Sequence, residues 1–341
     1  MDTITQIALG AAVGEAVLGK KMGNKAPMWG AALGIVPDLD VLILPFVDAV
    51  QGLAIHRGIS HSLFFCFAAA PIFGWSLDRW YSKQAVGWRS WSWMAFWVLL
   101  THIGIDLFTT YGTQILQPFS DRLFSLNAIF IIDPFYTVPL AAGVITALFM
   151  QNGTRRREWA NYAGIIISSL YLLAALAIKT HVHKVFEENF DAQDIRPEQQ
   201  MTTPAPFNIF LWNGYATVND TLYAGLYSIF DDNNEINFHR LAQNKHLLEA
   251  YRGQLPVERI KWFSQGFFTA GIEHGNLRMH DLRFGRSDLW LTNQPAPPSW
   301  SYRLLFSADS TNITGFERYG ANLGRRSALF GPLLDRIGGE K

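Results

Sequence analysis

The run "WANYAGIIISSLYLLAALAI" fills residues 159–178 without one charged side chain. A hydrocarbon core about 30 Å thick takes roughly 20 helical residues to cross. A helix that is apolar all round must be buried in a large core or sit in lipid. This segment therefore predicts a membrane protein. Composition agrees: 16% of the chain is charged, against roughly 25% in soluble domains.

Five more apolar segments precede it, at 4–19, 28–47, 61–76, 92–109 and 134–150, with the last core taken as 160–179. They predict an all-α, multi-span half of about six helices. The first and third are short and could be re-entrant. From residue 181 the charges, Asn and Gly rise and no run could span. There "FNIFLWNGYATVNDTLYAGLYSIFDD" predicts two strands turning near Asn219-Asp220. "FFTAGIEHGNLRMHDLRFG" predicts a hairpin turning at His274, Gly275 and Asn276, and "WSYRLLFSAD" another strand. "FHRLAQNKHLLEAYRG" predicts a short helix ending at Gly253, and "QPAPPS" a loop. The expected organisation is a helical transmembrane domain, 1–180, and a soluble α+β domain with an antiparallel sheet, 181–341.

Loop charges predict the orientation. Lys20, Lys21 and Lys25, then Arg79, Lys83 and Arg89, then Arg155, Arg156 and Arg157 mark one set of loops. The alternating loops around 48–60 and 110–133 hold only Arg57 and Arg122. The positive-inside rule puts the first set in the cytoplasm. Residues 181–341 are then expected outside. The N-terminus is acidic before its apolar run and basic after it, the reverse of a signal peptide. A formal net charge of zero gives no positive field for nucleic acid, and a single cysteine allows no disulfide or Cys-based zinc site within the chain.

Ionisable residues inside membrane segments are costly, which makes them functional candidates. Asp38 and Asp40 lie in "GIVPDLD", where Pro37 predicts a bend that lets both carboxylates face one cavity. "HRGISHS" puts His56, Arg57 and His61 at the mouth of the third segment. His102 and Asp106 stand four residues apart in "THIGID", on one helix face. Asp2, Asp121 and Asp133 complete the set. The orientation was drawn from Lys and Arg alone, yet it sends these residues toward one face of the membrane. Imidazoles and carboxylates are ligands that zinc, iron or manganese accept. Taken singly, each has a plainer reading: interfacial histidines, a helix-packing hydrogen bond, a capped turn, a surface ion pair. Glu15, near the opposite end of its segment, is expected to be interfacial or paired. His181 and His183 are juxtamembrane candidates of lower rank; His239 and His246 are expected on a surface helix.

"MDTITQIALGAAVGEAVLG", "GIVPDLD", "HRGISHS", "THIGIDLFTTYGTQ" and "PFSDRLFSLNAIFIIDPFYTVPL" together resemble the YdjM-like family of bacterial inner-membrane proteins, over about the first 150 residues. The resemblance implies a metal-dependent hydrolase in the inner membrane. Its ligand style is also similar, distantly, to the zinc-dependent phospholipase C and P1-type nuclease group, which implies phosphoester hydrolysis. Many members carry His where this chain has Gln6, so a ligand is expected to be missing or replaced. The residues expected to hold a divalent metal, zinc first and manganese or iron next, are Asp2, Asp38, Asp40, His56, His61, His102 and Asp106. Asp38 or Asp133 is expected to act as general base, and Arg57 to neutralise charge on a phosphoryl oxygen. A membrane lipid or another small amphipathic molecule is the expected substrate. An ion-coupled transporter would instead need polar residues through to the cytoplasmic side. A scaffold acting through its outer domain would not need this density of His and Asp.

Overall fold

The protein is described from a computed structural model over residues 1–285, 300–309, 311–320 and 327–340. The "QPAPPS" segment lies outside the described residues. Two compact units divide the chain, one of Met1–Leu44 and Ile55–Ala175, the other of Pro45–Ala54 and Leu176–Lys341.

The first unit is helical. Its main elements are α1 (Thr3–Met22), α2 (Lys25–Gly34), α4 (Leu63–Trp80), α5 (Trp88–Phe108) and α6 (Pro134–Leu148). The short α3 (Ala49–Ile55) lies between α2 and α4 in the chain. The long α7 (Arg155–Ala192) begins in this unit and continues into the second. Between α2 and α4 the chain also winds 3₁₀ turns at Pro37–Phe46 and Ile59–His61. All six apolar segments are thus largely helical. Among the described residues two helices, α5 and α7, are long and apolar enough to cross a membrane, or up to four if each of two bent pairs forms one span. The second segment bends by 41° between Gly34 and Pro37, where the proline predicts it, and a second break of 58° separates Ala49–His61 from Leu63–Trp80. Large apolar side chains such as Phe67, Ile72, Trp75, Ile167, Leu170 and Leu173 are exposed on α4 and α7. Lipid accepts such a surface and water does not. α7 runs for 38 residues, about 57 Å at 1.5 Å per residue, well beyond a hydrocarbon core.

Small residues let α1 and α2 approach closely. A Cβ on Gly30 would lie 2.2 Å from the Gly10 carbonyl oxygen, and one on Gly34 would lie 2.7 Å from that of Gln6. Helices that pack in lipid commonly use glycine this way. Toward the other end of α1, buried Glu15 takes both Arg157 Nε and Nη2 at 2.6 Å. Arg157 also donates to Asn24 Oδ1 at 2.6 Å. Glu15 is therefore paired, and one of the arginines counted in the loop charges is internal.

The second unit holds two four-stranded antiparallel sheets. The first joins β1 (Gln199–Pro204), β2 (Leu211–Val218), β3 (Thr221–Ser228) and β4 (His239–Ala242) in that order. The second joins β5 (Phe268–Glu273), β6 (Asn276–Asp281), β7 (Trp300–Phe306) and β8 (Ile313–Gly320). The β5–β6 turn uses His274 and Gly275, both at positive φ, as a two-residue hairpin prefers. The helix expected over "FHRLAQNKHLLEAYRG" is instead β4 followed by a 3₁₀ turn, Lys245–Tyr251. Its first residues pair with β3 through Leu222↔Leu241, and strand pairing overrides the local helical pattern there. Two further helices are α8 (Leu255–Phe263) and α9 (Ser327–Ile337).

Gly30→Ala is expected to destabilise the helical unit by about 1–3 kcal/mol, because the methyl group meets backbone. Met28→Ala, at an exposed position on the same helix, is expected to cost under about 0.5 kcal/mol. Thermal unfolding in detergent, followed by tryptophan fluorescence, checks the contrast.

Candidate metal centre

α5 carries His102 and Asp106, both fully buried on the same face. His102 Nδ1 lies 2.6 Å from the Gly34 carbonyl at the end of α2. A carbonyl only accepts, so Nδ1 holds the proton and Nε2 keeps its lone pair. Past the bend, the 3₁₀ turn brings up Asp38 and Asp40. "HRGISHS" forms the corner before α4. Arg57 adopts φ +57°, His61 closes the second 3₁₀ turn, and Ser62 caps α4 by accepting from Phe65 N at 3.0 Å.

Four of these residues converge: Asp38, His61, His102 and Asp106 each offer a ligand atom, all within 4.8 Å of one another. His61 Nε2 is 3.2 Å from His102 Nε2 and 3.2 Å from Asp38 Oδ1. Asp106 Oδ2 stands 3.5 Å from His61 Nε2 and 3.9 Å from His102 Nε2, and Asp38 Oδ1 is 3.7 Å from His102 Nε2. Ligand bonds of about 2.0–2.1 Å in a tetrahedral site space their donors by about 3.3 Å. The observed spacings bracket that value. Atoms facing away from the group are held: His102 Nδ1 by Gly34, and Asp106 Oδ1 by Gln6 Nε2 at 3.1 Å and by the Met1 amine. Asp106 Oδ2, facing in, has no hydrogen bond although fully buried. Arg57 Nε stands 3.2 Å from that oxygen as an ion pair, and the two-nitrogen, two-carboxylate donor set fits a divalent cation. Asp38 is the member open to solvent, at 21% exposure against 0–1% for the other three.

The remaining candidates take other places. Asp40 accepts from Arg57 N at 2.9 Å and pairs with His56 Nδ1 at 2.9 Å, next to the group rather than in it. Arg57 is buried; its Nε is 3.2 Å from Asp106 Oδ2, its Nη1 donates to Thr109, and its guanidinium covers the Tyr111 ring at 4.6 Å. Asp2 caps α1, accepting from Thr5 N at 3.1 Å. Asp133 caps α6 through Phe135 N and takes the Tyr171 hydroxyl at 2.8 Å. Neither joins the four, and Asp121 is exposed on its loop. His181 and His183 lie in α7 and join no such group among the described residues. Gln6, at the position where many family members carry His, is buried and orients Asp106. Ser60 and the Gly34 carbonyl also serve the site, and neither is distinctive in the sequence. A polar Gln6 deep in an apolar helix is the one signal of the three that a sequence offers.

Fold and site together define a helical membrane domain with a buried His/Asp group that could hold a metal, followed by a two-sheet domain. Residues 1–182 match the YdjM inner membrane protein family, and the chain belongs to it. An uncharacterised Bacillus subtilis protein, YfhP, is 28% identical over 58% of this chain, and the alignment covers 62% of that relative. The Escherichia coli inner membrane protein YbcI is 30% identical over 43% of this chain and 87% of its own length. No solved structure matches.

Tyr171→Phe removes the hydroxyl that reaches Asp133 and is expected to cost about 1–3 kcal/mol. It should leave metal content unchanged, whereas Asp38→Asn should lower it. Elemental analysis beside thermal melts separates the two effects.

Proposed function

We propose that this protein is a metal-dependent hydrolase of the inner membrane, acting on a phosphoester of a lipid or similarly amphipathic molecule. The observation that carries the reading is the four-donor group with one solvent-open carboxylate and a buried arginine beside it. The group gathers residues from the 3₁₀ turn after α2, the 3₁₀ turn before α4 and the end of α5, hence from one end of the helices. Such one-sidedness suits chemistry at a membrane surface better than a conduction path.

Asp38, His61, His102 and Asp106 would hold the ion. A divalent metal there would supply Lewis acidity, lowering the pKa of water and polarising a substrate oxygen. Asp38 combines solvent access with membership of the group, which suits it to take a proton from water. Asp133 is committed to its cap and to Tyr171, which leaves the base role to Asp38. Arg57, fixed by Asp106, Thr109 and Tyr111, would hold a phosphoryl oxygen and stabilise its charge. The loop charges favour a placement of this end, and of the two-sheet domain, outside the cytoplasm. There a lipid headgroup is within reach.

Elemental analysis of detergent-purified protein tests the reading, with wild type beside His61→Ala and Asp106→Ala. Stoichiometric zinc, manganese or iron is expected in the wild type and its loss in both folded variants. A screen of phosphodiester and phosphomonoester lipids should then find turnover that Arg57→Lys lowers by at least about tenfold. A folded wild type that neither contains nor takes up metal overturns the proposal.

A further inference from the structure

His61 has one ring nitrogen among the four donors and the other turned outward. The outward nitrogen, Nδ1, is 3.0 Å from Ser60 Oγ. Ser60 Oγ in turn donates to Asp40 Oδ2 at 3.2 Å. A serine hydroxyl has one proton. Once that proton points at Asp40, the oxygen can only accept from His61, so His61 Nδ1 must carry its hydrogen. The direct separation from His61 Nδ1 to Asp40 Oδ2 is 3.6 Å, too long for a hydrogen bond. Ser60 is therefore the link.

The same carboxylate does more. Asp40 Oδ2 also accepts from Arg57 N at 2.9 Å, and Asp40 Oδ1 pairs with His56 Nδ1 at 2.9 Å. Arg57 sits at φ +57°, a region that side-chain-bearing residues seldom occupy. Its carbonyl is held as well, by Gln114 N at 3.1 Å. One carboxylate thus fixes the corner that delivers the arginine and, through one hydroxyl, the ring that delivers a ligand nitrogen.

We infer that Ser60 and Asp40 are positioning residues. They keep a hydrogen on His61 Nδ1, which leaves Nε2 as the nitrogen facing Asp38, His102 and Asp106. Asp40 is then a second carboxylate behind a ligand rather than a ligand. Groups of this kind typically change metal affinity by roughly 10–100-fold when removed. The inference rests on the metal-centre reading for its consequence, but its immediate content is the hydrogen-bond link from His61 Nδ1 through Ser60 to Asp40.

The test is ¹⁵N NMR of histidine-labelled, full-length protein in detergent, with His61 assigned by loss of its signals in His61→Ala. Wild type, Ser60→Ala, Ser60→Thr and Asp40→Asn are compared, and zinc affinity is measured for each by competition with a chelator. The wild type and Ser60→Thr should show His61 protonated on Nδ1, and they should bind zinc equally. Ser60→Ala and Asp40→Asn should weaken zinc by roughly 10–100-fold and mix the tautomers of His61 in the metal-free protein. Ser60→Thr keeps the hydroxyl and separates its loss from a folding defect. Unchanged His61 shifts and unchanged zinc affinity in Ser60→Ala overturn the inference. If the wild type binds no zinc but Ser60→Ala still shifts the tautomer, the positioning role stands and the metal reading falls.

Discussion

The close approach of α1 and α2 is the constraint on which the candidate centre depends. Gly10, Gly30 and Gly34 leave no space for side chains between the two backbones. That contact sets where α2 ends, and its terminal carbonyl, Gly34 O, is the acceptor for His102 Nδ1. It also sets the depth of α1, which carries Gln6 to Asp106. A helix end normally leaves carbonyls without partners. Here one of them is used to decide which nitrogen of a buried imidazole faces inward. The packing of small residues and the chemistry of the group are therefore not separable.

The two histidines are fixed by different means toward the same end. His102 leans on backbone, which cannot be altered by a change of side chain. His61 leans on Ser60 and, through it, on Asp40. Around them Asp106 has its outward oxygen held and its inward oxygen unbonded. A buried carboxylate oxygen without a hydrogen bond is costly in an apolar bundle. Arg57 Nε, 3.2 Å from that oxygen, offsets part of the cost, and the inner atoms of the group converge at one point where a bound cation would offset more of it.

Much of this was legible in the sequence, where local geometry translates directly into spacing. The four-residue interval of His102 and Asp106 does so on a helix, and both project to the same place. Pro37 announced the bend that turns Asp38 and Asp40 toward His61. The hairpin at His274-Gly275 followed from its turn residues. Other residues were misleading because one side chain has two uses. Asp2 and Asp133 immediately precede helices, and the second is followed by proline; those are cap signals as much as ligand signals. In the structure both are caps. Ser60 carries no signal in the sequence, because a serine beside a histidine is ordinary until the third partner, Asp40, is adjacent. β1, β8 and α8 were not read either. Gln199–Pro204 is polar along much of its length, and only its pairing with Trp212–Thr217 defines it as a strand.

The donor set also bears on which ions suit the group. Two neutral imidazoles and two carboxylates make an intermediate site, harder than a thiolate cluster and softer than an all-oxygen cage. Magnesium and calcium prefer six or more oxygens, and imidazole suits them poorly. Copper(I) prefers sulfur; Cys66, the chain's one cysteine, is buried on α4 and does not belong to the group. Zinc, iron(II) and manganese(II) remain as the chemically matched ions. Five of the six donor pairs stand 3.2–3.9 Å apart, and all four donor atoms lie within 4.8 Å of one another, close enough to be bridged by one ion.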